Sequence, residues 1–469
     1  MKTYDVIVIG GGGAGLSAAF TAAGFGKKTM LVEKNKTGGE CTWNGCIPSK
    51  AMIHLAELAH AAALTGSGTV KQESPFQKID DVRQAVYAHE SPEVLAQRGV
   101  DTLIGEARFT GPDTIEVNGE SYRAKRFIVA VGSRALVPPV PGLADTPHIT
   151  NETLFDLKAL PKSVLVMGGG PIGLEMAQAL SRLGVEITVV EMLDRILFRE
   201  DPDTAEVIRE KLVDEGVMIL TGAKAVNAST TPNGVQLTVE TDGRKANLEA
   251  ESLLVAVGRR SGAGGLNLEA AGVKTTPKGV EVDKRLRTSN PRIYAAGDVA
   301  GPYAFSHMAE YQGVKAAMNA ILPFKSKVNY NHVAWATFTD PEIARAGMTE
   351  DEARQKYGKR VKVYTHRYED LDRGRTVPGT KGLVKIILGP RSRILGAHIA
   401  GERAGELISE IQVMKTLGIG YHKLRGVIHP YPTYADILRQ IAKKVALDRI
   451  LDHPVVRLFR GSKGDTDGS

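Results

Sequence analysis

Tyr4-Asp5-Val6-Ile7-Val8-Ile9-Gly10-Gly11-Gly12-Gly13-Ala14-Gly15 is a β-branched run that meets four consecutive glycines. Such a run reads as a buried parallel strand. An alanine-rich helical pattern follows to about Gly26, and a second strand, Lys28-Thr29-Met30-Leu31-Val32, ends at Glu33. Strand, G-x-G-x-x-G turn, helix, strand and acid in this order predict a dinucleotide site. Gly10 permits the tight turn, Gly12 lets backbone approach a pyrophosphate, and Gly15 lets the helix pack on the strand. The helix N-terminus faces the phosphates, and Glu33 can accept hydrogen bonds from ribose hydroxyls.

The unit recurs. Ser163-Val164-Leu165-Val166-Met167 runs into Gly168-Gly169-Gly170-Pro171-Ile172-Gly173, a helix through about Leu183, and the strand Glu186 to Val190 followed by Glu191. Gly168 and Glu191 are separated as Gly10 and Glu33 are, which predicts a second dinucleotide site. Glu191 favours NAD(H) over NADP(H), because a carboxylate repels a ribose 2′-phosphate; Arg195 nearby keeps NADP(H) as the alternative. Each unit closes with an apolar strand ending in glycine: Arg126 to Val131 before Gly132, and Ser252 to Val257 before Gly258. A further run, Ile293-Tyr294-Ala295-Ala296, leads into Gly297-Asp298 and, taken alone, reads as a strand-ending turn.

Between the first unit and its closing strand lies Gly38-Gly39-Glu40-Cys41-Thr42-Trp43-Asn44-Gly45-Cys46-Ile47-Pro48-Ser49-Lys50, which holds the only two cysteines in 469 residues. A disulfide this local closes so small a loop that it restrains the unfolded chain little. The pair therefore reads either as a redox disulfide or as two buried reduced thiols. A metal site is disfavoured, since no third cysteine or clustered histidine completes a ligand set. Helical spacing runs from Ser49 to Leu64 with Pro48 in its first turn, which places Cys46 near the positive end of a helix, where a thiolate is favoured.

The composition, 42% apolar and 24% charged, is that of a globular chain with large cores, and the length allows about three domains. A net charge of +7 is modest, and no basic stripe with interleaved aromatics argues for nucleic acid. No apolar run reaches membrane-spanning length. Two cysteines point to a reducing, cytoplasmic setting. Residues 65–75 read as a surface loop, Asp80 to Arg98 as a helix, Leu103 to Phe109 and Thr114 to Val117 as strands, and Asn118-Gly119 as a hairpin turn. After Pro323 no nucleotide pattern recurs. Thr349-Glu350-Asp351-Glu352 is a capping box, Lys381 to Leu388 and Ile394 to Ile399 read as strands, and Gly405 to Leu417 as an amphipathic helix.

Together these residues resemble the class I FAD-dependent pyridine nucleotide-disulfide oxidoreductases, a family that includes dihydrolipoamide dehydrogenases and mercuric reductases. The resemblance runs from Gly10 to about Asp436, and Cys-x-x-x-x-Cys-x-Pro-x-Lys after Gly-Gly is its most specific motif. It implies an α/β fold with two Rossmann-like domains, for FAD and NAD, and a C-terminal α+β dimerisation domain. The expected boundaries are 1–150 and 280–330 for FAD, 151–279 for NAD(P), 331–455 for the interface and 456–469 for a flexible tail. It implies that Gly10, Gly12, Gly15, Glu33 and Asp298, with the strand-ending Gly132, serve FAD. Gly168, Gly170, Gly173 and Glu191, with Gly258, serve the nicotinamide nucleotide. Cys46 matches the thiol next to the flavin, Cys41 the thiol that exchanges with substrate, and Lys50 with Glu175 an ion pair beside the flavin ring. A homodimer completing each active site across its interface is also implied, with a small dithiol or a lipoyl-carrying protein as partner.

The chain departs from the family in two places. Where thiol-substrate members carry His-Pro-Thr-x-x-Glu, this chain has Tyr431-Pro432-Thr433-Tyr434-Ala435-Asp436, with His429 two residues early. An unperturbed tyrosine, with a pKa of about 10, is a poor base at neutral pH. Between the cysteines, Thr42-Trp43-Asn44 replaces an aliphatic-Asn-aliphatic triplet. The expected function is an NADH-linked disulfide oxidoreductase of the dihydrolipoamide dehydrogenase type. The alternatives are a mercuric-reductase-like enzyme that reduces a metal ion or quinone, and a low-turnover redox sensor.

Overall fold

The computed structural model describes residues 1–66, 75–454 and 456. Most of the 65–75 loop and nearly all of the 456–469 tail lie outside the described residues. The chain forms two compact units, one of residues 1–195 and 215–329, the other of 196–214 and the chain from 330. Among the described residues no helix is long and apolar enough to cross a membrane.

The first unit contains the helices α1 (Gly13–Gly24), α2 (Gly39–Trp43), α3 (Cys46–Leu64), α4 (Pro75–Tyr87), α5 (Pro92–Gln97) and α6 (Pro171–Arg182). Helix α7 (Pro202–Asp214) belongs to the second unit and α8 (Ser306–Ile321) to the first. One sheet is built around Lys2–Ile9, which pairs in parallel with Thr29–Glu33 on one side and Glu120–Val129 on the other. Val100–Ile104 extends it beyond Thr29–Glu33, and Ile293–Ala295 lies parallel to the end of Glu120–Val129. Ile7, Val8, Leu31, Phe127 and Ile128 are completely buried. Strands covered on both faces are apolar throughout rather than alternating, which is why these runs stood out in the sequence.

Asn118 and Gly119, with φ of 52° and 78°, make the expected hairpin turn into Glu120–Val129. Two expectations need correction. The single strand over 103–109 is two, Val100–Ile104 and Ala107–Gly111, parted at Gly105. There the Asn118 amide donates to the Ile104 carbonyl at 3.0 Å, and a Cβ on Gly105 would lie 2.5 Å from that side chain. The single helix over 80–98 is likewise two, α4 and α5. Pro92, without an amide hydrogen, suits the first position of α5 and cannot prolong α4.

A second parallel sheet in this unit orders Met218–Leu220, Glu186–Val190, Ser163–Met167 and Ser252–Val255. An antiparallel sheet, Lys224–Thr231, Gly234–Thr241 and Arg244–Ala250, shares its core with that sheet through Leu237, Val239, Leu253 and Val255.

The second unit contains a five-stranded antiparallel sheet in the order Ala334–Thr337, Glu342–Gly347, Ile394–Gly401, Leu383–Leu388 and Lys362–Arg367. Buried Lys385 reaches Asp201 Oδ1 at 2.7 Å, Asp203 Oδ2 at 2.5 Å and Glu350 Oε2 at 3.2 Å, which fastens the start of α7 to this sheet. Of these only Lys385 and Asp201 are fully buried, and removing Asp201 would cost about 3–5 kcal/mol by leaving the ammonium short of its buried partner. The Thr349 capping box is formed, its hydroxyl accepting from the Glu352 amide and the Glu352 carboxylate from the Thr349 amide. The Trp335 indole donates to Glu200 Oε1 at 2.7 Å, with the Arg345 guanidinium over its ring.

A Cβ on Gly15 would stand 1.7 Å from the Gly10 carbonyl oxygen, whereas one on Gly24 would meet nothing within 4 Å. Gly15→Ala is expected to destabilise the protein by about 3 kcal/mol through overpacking. Gly24→Ala, in the same helix, is expected to be neutral or stabilising by up to about 1 kcal/mol. Urea unfolding of both variants measures the difference, and equal midpoints would refute the close packing of α1.

Candidate active site

The two glycine turns repeat each other at their first and last glycines. Gly10 (φ +106°) and Gly168 (φ +115°) have backbone conformations that favour glycine, and a Cβ would lie 2.4 Å from the Ala130 oxygen or 2.6 Å from the Ala256 oxygen. Gly15 and Gly173 would drive a Cβ into the carbonyl oxygen of the turn at 1.7 Å and 2.1 Å. The middle glycines differ: a Cβ on Gly12 would touch only the Gly39 Cα, at 3.6 Å, and one on Gly170 nothing within 4 Å. Gly12 and Gly170 are the N-caps of α1 and α6, and neither helix has a side-chain cap or an acidic residue in its first turn. Helix amides presented this way fit the pyrophosphate of a dinucleotide.

The two acids also match. Glu33 accepts from the Gly11 amide at 2.6 Å and the Asn35 amide at 2.8 Å; Glu191 accepts from Gly169 at 2.7 Å and Leu193 at 2.8 Å. Each carboxylate closes its own glycine turn and keeps lone pairs for ribose hydroxyls.

Gly132 and Gly258 lead into a two-stranded ladder of Ser133–Ala135 with Arg259–Ser261. Asp298, next to Gly297 (φ 79°), accepts from the Ser133 hydroxyl at 2.5 Å. Arg259 donates to the same hydroxyl at 2.7 Å and forms a bidentate pair with Glu40, whose Oε1 also accepts from Asn151 at 2.6 Å. Sequence reasoning missed Glu40, Ser133, Asn151 and Arg259. Their only signal was adjacency, Glu40 to Cys41, Ser133 to Gly132 and Arg259 to Gly258; Asn151 had none.

The cysteines sit on consecutive helices. Gly38 and Gly39 turn the chain with φ of 97° and 64°, and a Cβ on Gly39 would lie 2.4 Å from the Gly12 Cα. That contact packs the cysteine segment directly on the first glycine turn. Cys41 lies in α2 and Cys46 is the first residue of α3, three residues ahead of the expected helix start. Both are partly buried thiols. The Thr42-Trp43 departure has a structural account. The Thr42 hydroxyl donates to Glu90 Oε2 at 2.7 Å and the Trp43 indole to the Thr37 carbonyl at 2.8 Å. The indole also packs 5.1 Å from the Tyr87 ring, with the Lys36 ammonium 4.3 Å from its centre.

The two thiols differ in acidity. A hydrogen bond from Cys41 is the main force that pulls Cys46 down to about 6; Ser306 and the charge of Lys50 help, while burial and Glu175 oppose. Cys41 is pushed well above the ordinary thiol range, first by that same bond and then by burial. Lys50 Nζ lies 2.8 Å from Glu175 Oε2, with Glu175 buried on α6. Ser306, the first residue of α8, places its hydroxyl 3.1 Å from Cys46 Sγ; the sequence reading did not single it out.

In the second unit the three expected residues do not meet. His429 Nε2 is 3.1 Å from Glu410 Oε1, the Tyr431 hydroxyl donates to Asp372 Oδ2 at 3.1 Å, and Asp436 accepts from Arg439 and Gln440. Tyr431 is 69% exposed, and its hydrogen bond to Asp372, then the Asp372 charge, raises its pKa further. Glu410 and Asp372 carried no signal in the sequence.

A family model for pyridine nucleotide-disulphide oxidoreductases matches residues 4–321, and one for that family's dimerisation domain matches 333–442. A dihydrolipoyl dehydrogenase of Thermus scotoductus is 38% identical over 454 residues, 94% of this chain and 97% of its own. A mercuric reductase of Bacillus cereus is 34% identical over 449 residues, 93% of this chain and 70% of its own. The HOCl-induced flavoprotein disulfide reductase RclA of Escherichia coli, solved as a Cu(II) complex, superposes with a TM-score of 0.85 at 28% identity, covering 95% of this chain and 100% of that one. The chain is a member of the pyridine nucleotide-disulphide oxidoreductases, a family of flavoproteins that bind FAD and NAD(P)H.

Proposed function

We propose that this protein is an NADH-linked disulfide oxidoreductase acting on a small dithiol or a lipoyl group, in the manner of a dihydrolipoamide dehydrogenase. The observation that carries the reading is the cysteine pair of unequal acidity, packed on the first glycine turn beside Lys50 and Glu175. Gly10, Gly12, Gly15, Glu33, Gly132 and Asp298 would hold FAD; Gly168, Gly170, Gly173, Glu191 and Gly258 would hold NADH. FAD held by these residues would supply two-electron exchange between a nicotinamide and a disulfide. The domain boundaries expected from the sequence, a homodimer built on the dimerisation domain and a reducing cytoplasmic setting belong to the same reading.

The chain's own residues carry the sulfur chemistry. A substrate thiolate attacks Cys41 Sγ of the oxidised pair, and Cys46 leaves with the bonding electrons as a thiolate. The second substrate thiol then displaces Cys41 and closes the substrate disulfide. Cys46 suits the leaving role, since a low thiol pKa speeds departure. A thiol whose pKa is depressed to about 6 is charged above that pH and loses its charge as pH falls through it, so Cys46 is mainly thiolate at neutrality. Lys50 compensates that charge.

For the substrate proton, His429 with its Glu410 partner is better suited than Tyr431, whose phenol is held to Asp372 and made less acidic. His429→Gln is expected to lower kcat by about 10²-fold or more, and Tyr431→Phe to leave it within about threefold. The reverse ranking would move the role to Tyr431.

Tyr431 at the family's histidine position favours the second reading, reduction of a metal ion or quinone. Steady-state turnover of dihydrolipoamide with NAD and of lipoamide with NADH decides: sustained turnover supports the first reading. Turnover of thiol-ligated Hg(II) or a quinone without lipoamide activity in either direction overturns it. Glu191→Arg is expected to raise the NADPH-to-NADH ratio of kcat/KM by about tenfold or more, the worth of one charge-assisted contact. An unchanged ratio would show that Glu191 does not face the ribose.

A further inference from the structure

We propose that the Ser306 hydroxyl donates a hydrogen bond that holds Cys46 as a thiolate between the first turns of α3 and α8, and so sets how readily the Cys41–Cys46 disulfide opens. The proposal rests on the reading that this pair cycles between disulfide and dithiol.

Ser306 Oγ lies 3.1 Å from Cys46 Sγ. A thiol at Cys46 could donate or accept in that contact, but a thiolate has no hydrogen, so once Cys46 ionises the bond must run from Ser306. A disulfide sulfur carries no charge to be solvated. The bond is therefore worth most in the reduced, ionised state, and a contact made mainly in one state shifts the equilibrium toward it.

Ser306 is fixed in place from far along the chain. Helix α8 lies so close on α1 that a Cβ on Gly313 would stand 2.2 Å from the Ala14 oxygen. Buried Gln312 accepts from the Gly297 amide at 2.7 Å and donates to the Gly301 carbonyl at 3.1 Å, tying the Asp298 turn to the same helix. Leading into α8, the rings of Tyr303 and Phe305 stack at 6.1 Å and those of Phe305 and His307 at 5.4 Å. Serine at the first position of α8 thus meets the first residue of α3 with little freedom to withdraw. Other groups also act on Cys46: the Cys41 thiol from α2, Lys50 from α3, and Glu175 from α6, which opposes ionisation; Glu90 bears on Cys41. Ser306, unlike Lys50, Glu175 and Glu90, is uncharged, so it can be removed without altering net charge.

The test uses full-length, flavin-loaded protein carrying Cys41→Ser, in which Cys46 is the sole thiol. Its infrared S–H stretching band disappears as the thiol ionises and is titrated against pH with Ser306, Ser306→Ala and Ser306→Thr. Loss of the hydroxyl is expected to raise the midpoint by about one pKa unit, a tenfold loss of thiolate below the midpoint. Threonine, which keeps the hydroxyl, is expected to retain the parent midpoint. In the two-cysteine protein, Ser306→Ala is expected to lower the disulfide reduction potential by up to about 30 mV, the equivalent of tenfold in the exchange equilibrium. An unchanged midpoint in Ser306→Ala, or equal shifts in the alanine and threonine variants, overturns the proposal. The titration needs no electron acceptor, so absent lipoamide turnover with the shift intact would sink only the functional reading.

Discussion

The Gly10 carbonyl oxygen occupies the space that a methyl group on Gly15 would need. Gly10 itself takes a positive φ, and the N-terminus of α1 is seated at the end of the central strand. From there the constraint propagates. Gly39 abuts Gly12, so the cysteine segment lies on the same turn, and Ala14 receives Gly313 of α8, which brings Ser306 to the sulfur. Backbone contacts at glycine, which no side-chain motion can relax, thereby position the two cysteine sulfurs.

What the sequence disclosed was what covalent geometry demands locally. A strand buried on both faces must be apolar, a turn with positive φ favours glycine, and a capping box needs its two residues three apart, so both nucleotide units and the Thr349 cap could be read directly. What it concealed were pairings between distant residues. Glu40 meets Arg259 across 219 positions and Cys46 meets Ser306 across 260; no local pattern marks either. The antiparallel sheet over residues 224–250 was also hidden, because its outer strand, Arg244–Ala250, is mostly exposed and polar. The association of α7 with the second unit depends on Lys385 finding Asp201 and Asp203, again a matter of tertiary arrangement.

The acid-base segment is instructive in another way. Reading by position set Tyr431 against histidine and Asp436 against glutamate, as though the pair had merely changed chemistry. In the structure each has a different partner, and the histidine–carboxylate contact is made by His429 with Glu410 on the neighbouring helix Ala404–Thr416. Which groups touch need not follow the register of a motif.

The two tryptophans of the chain, Trp43 and Trp335, fall one to each compact unit. Trp43, which falls between the cysteines in sequence, packs against Tyr87, and Trp335 lies under Arg345. Replacing either indole by phenylalanine therefore leaves a single tryptophan in a known unit, read apart from the tyrosines by excitation beyond their absorption. The molecule carries, without any label, separate optical channels for the melting of its sulfur-bearing part and of its antiparallel sheet.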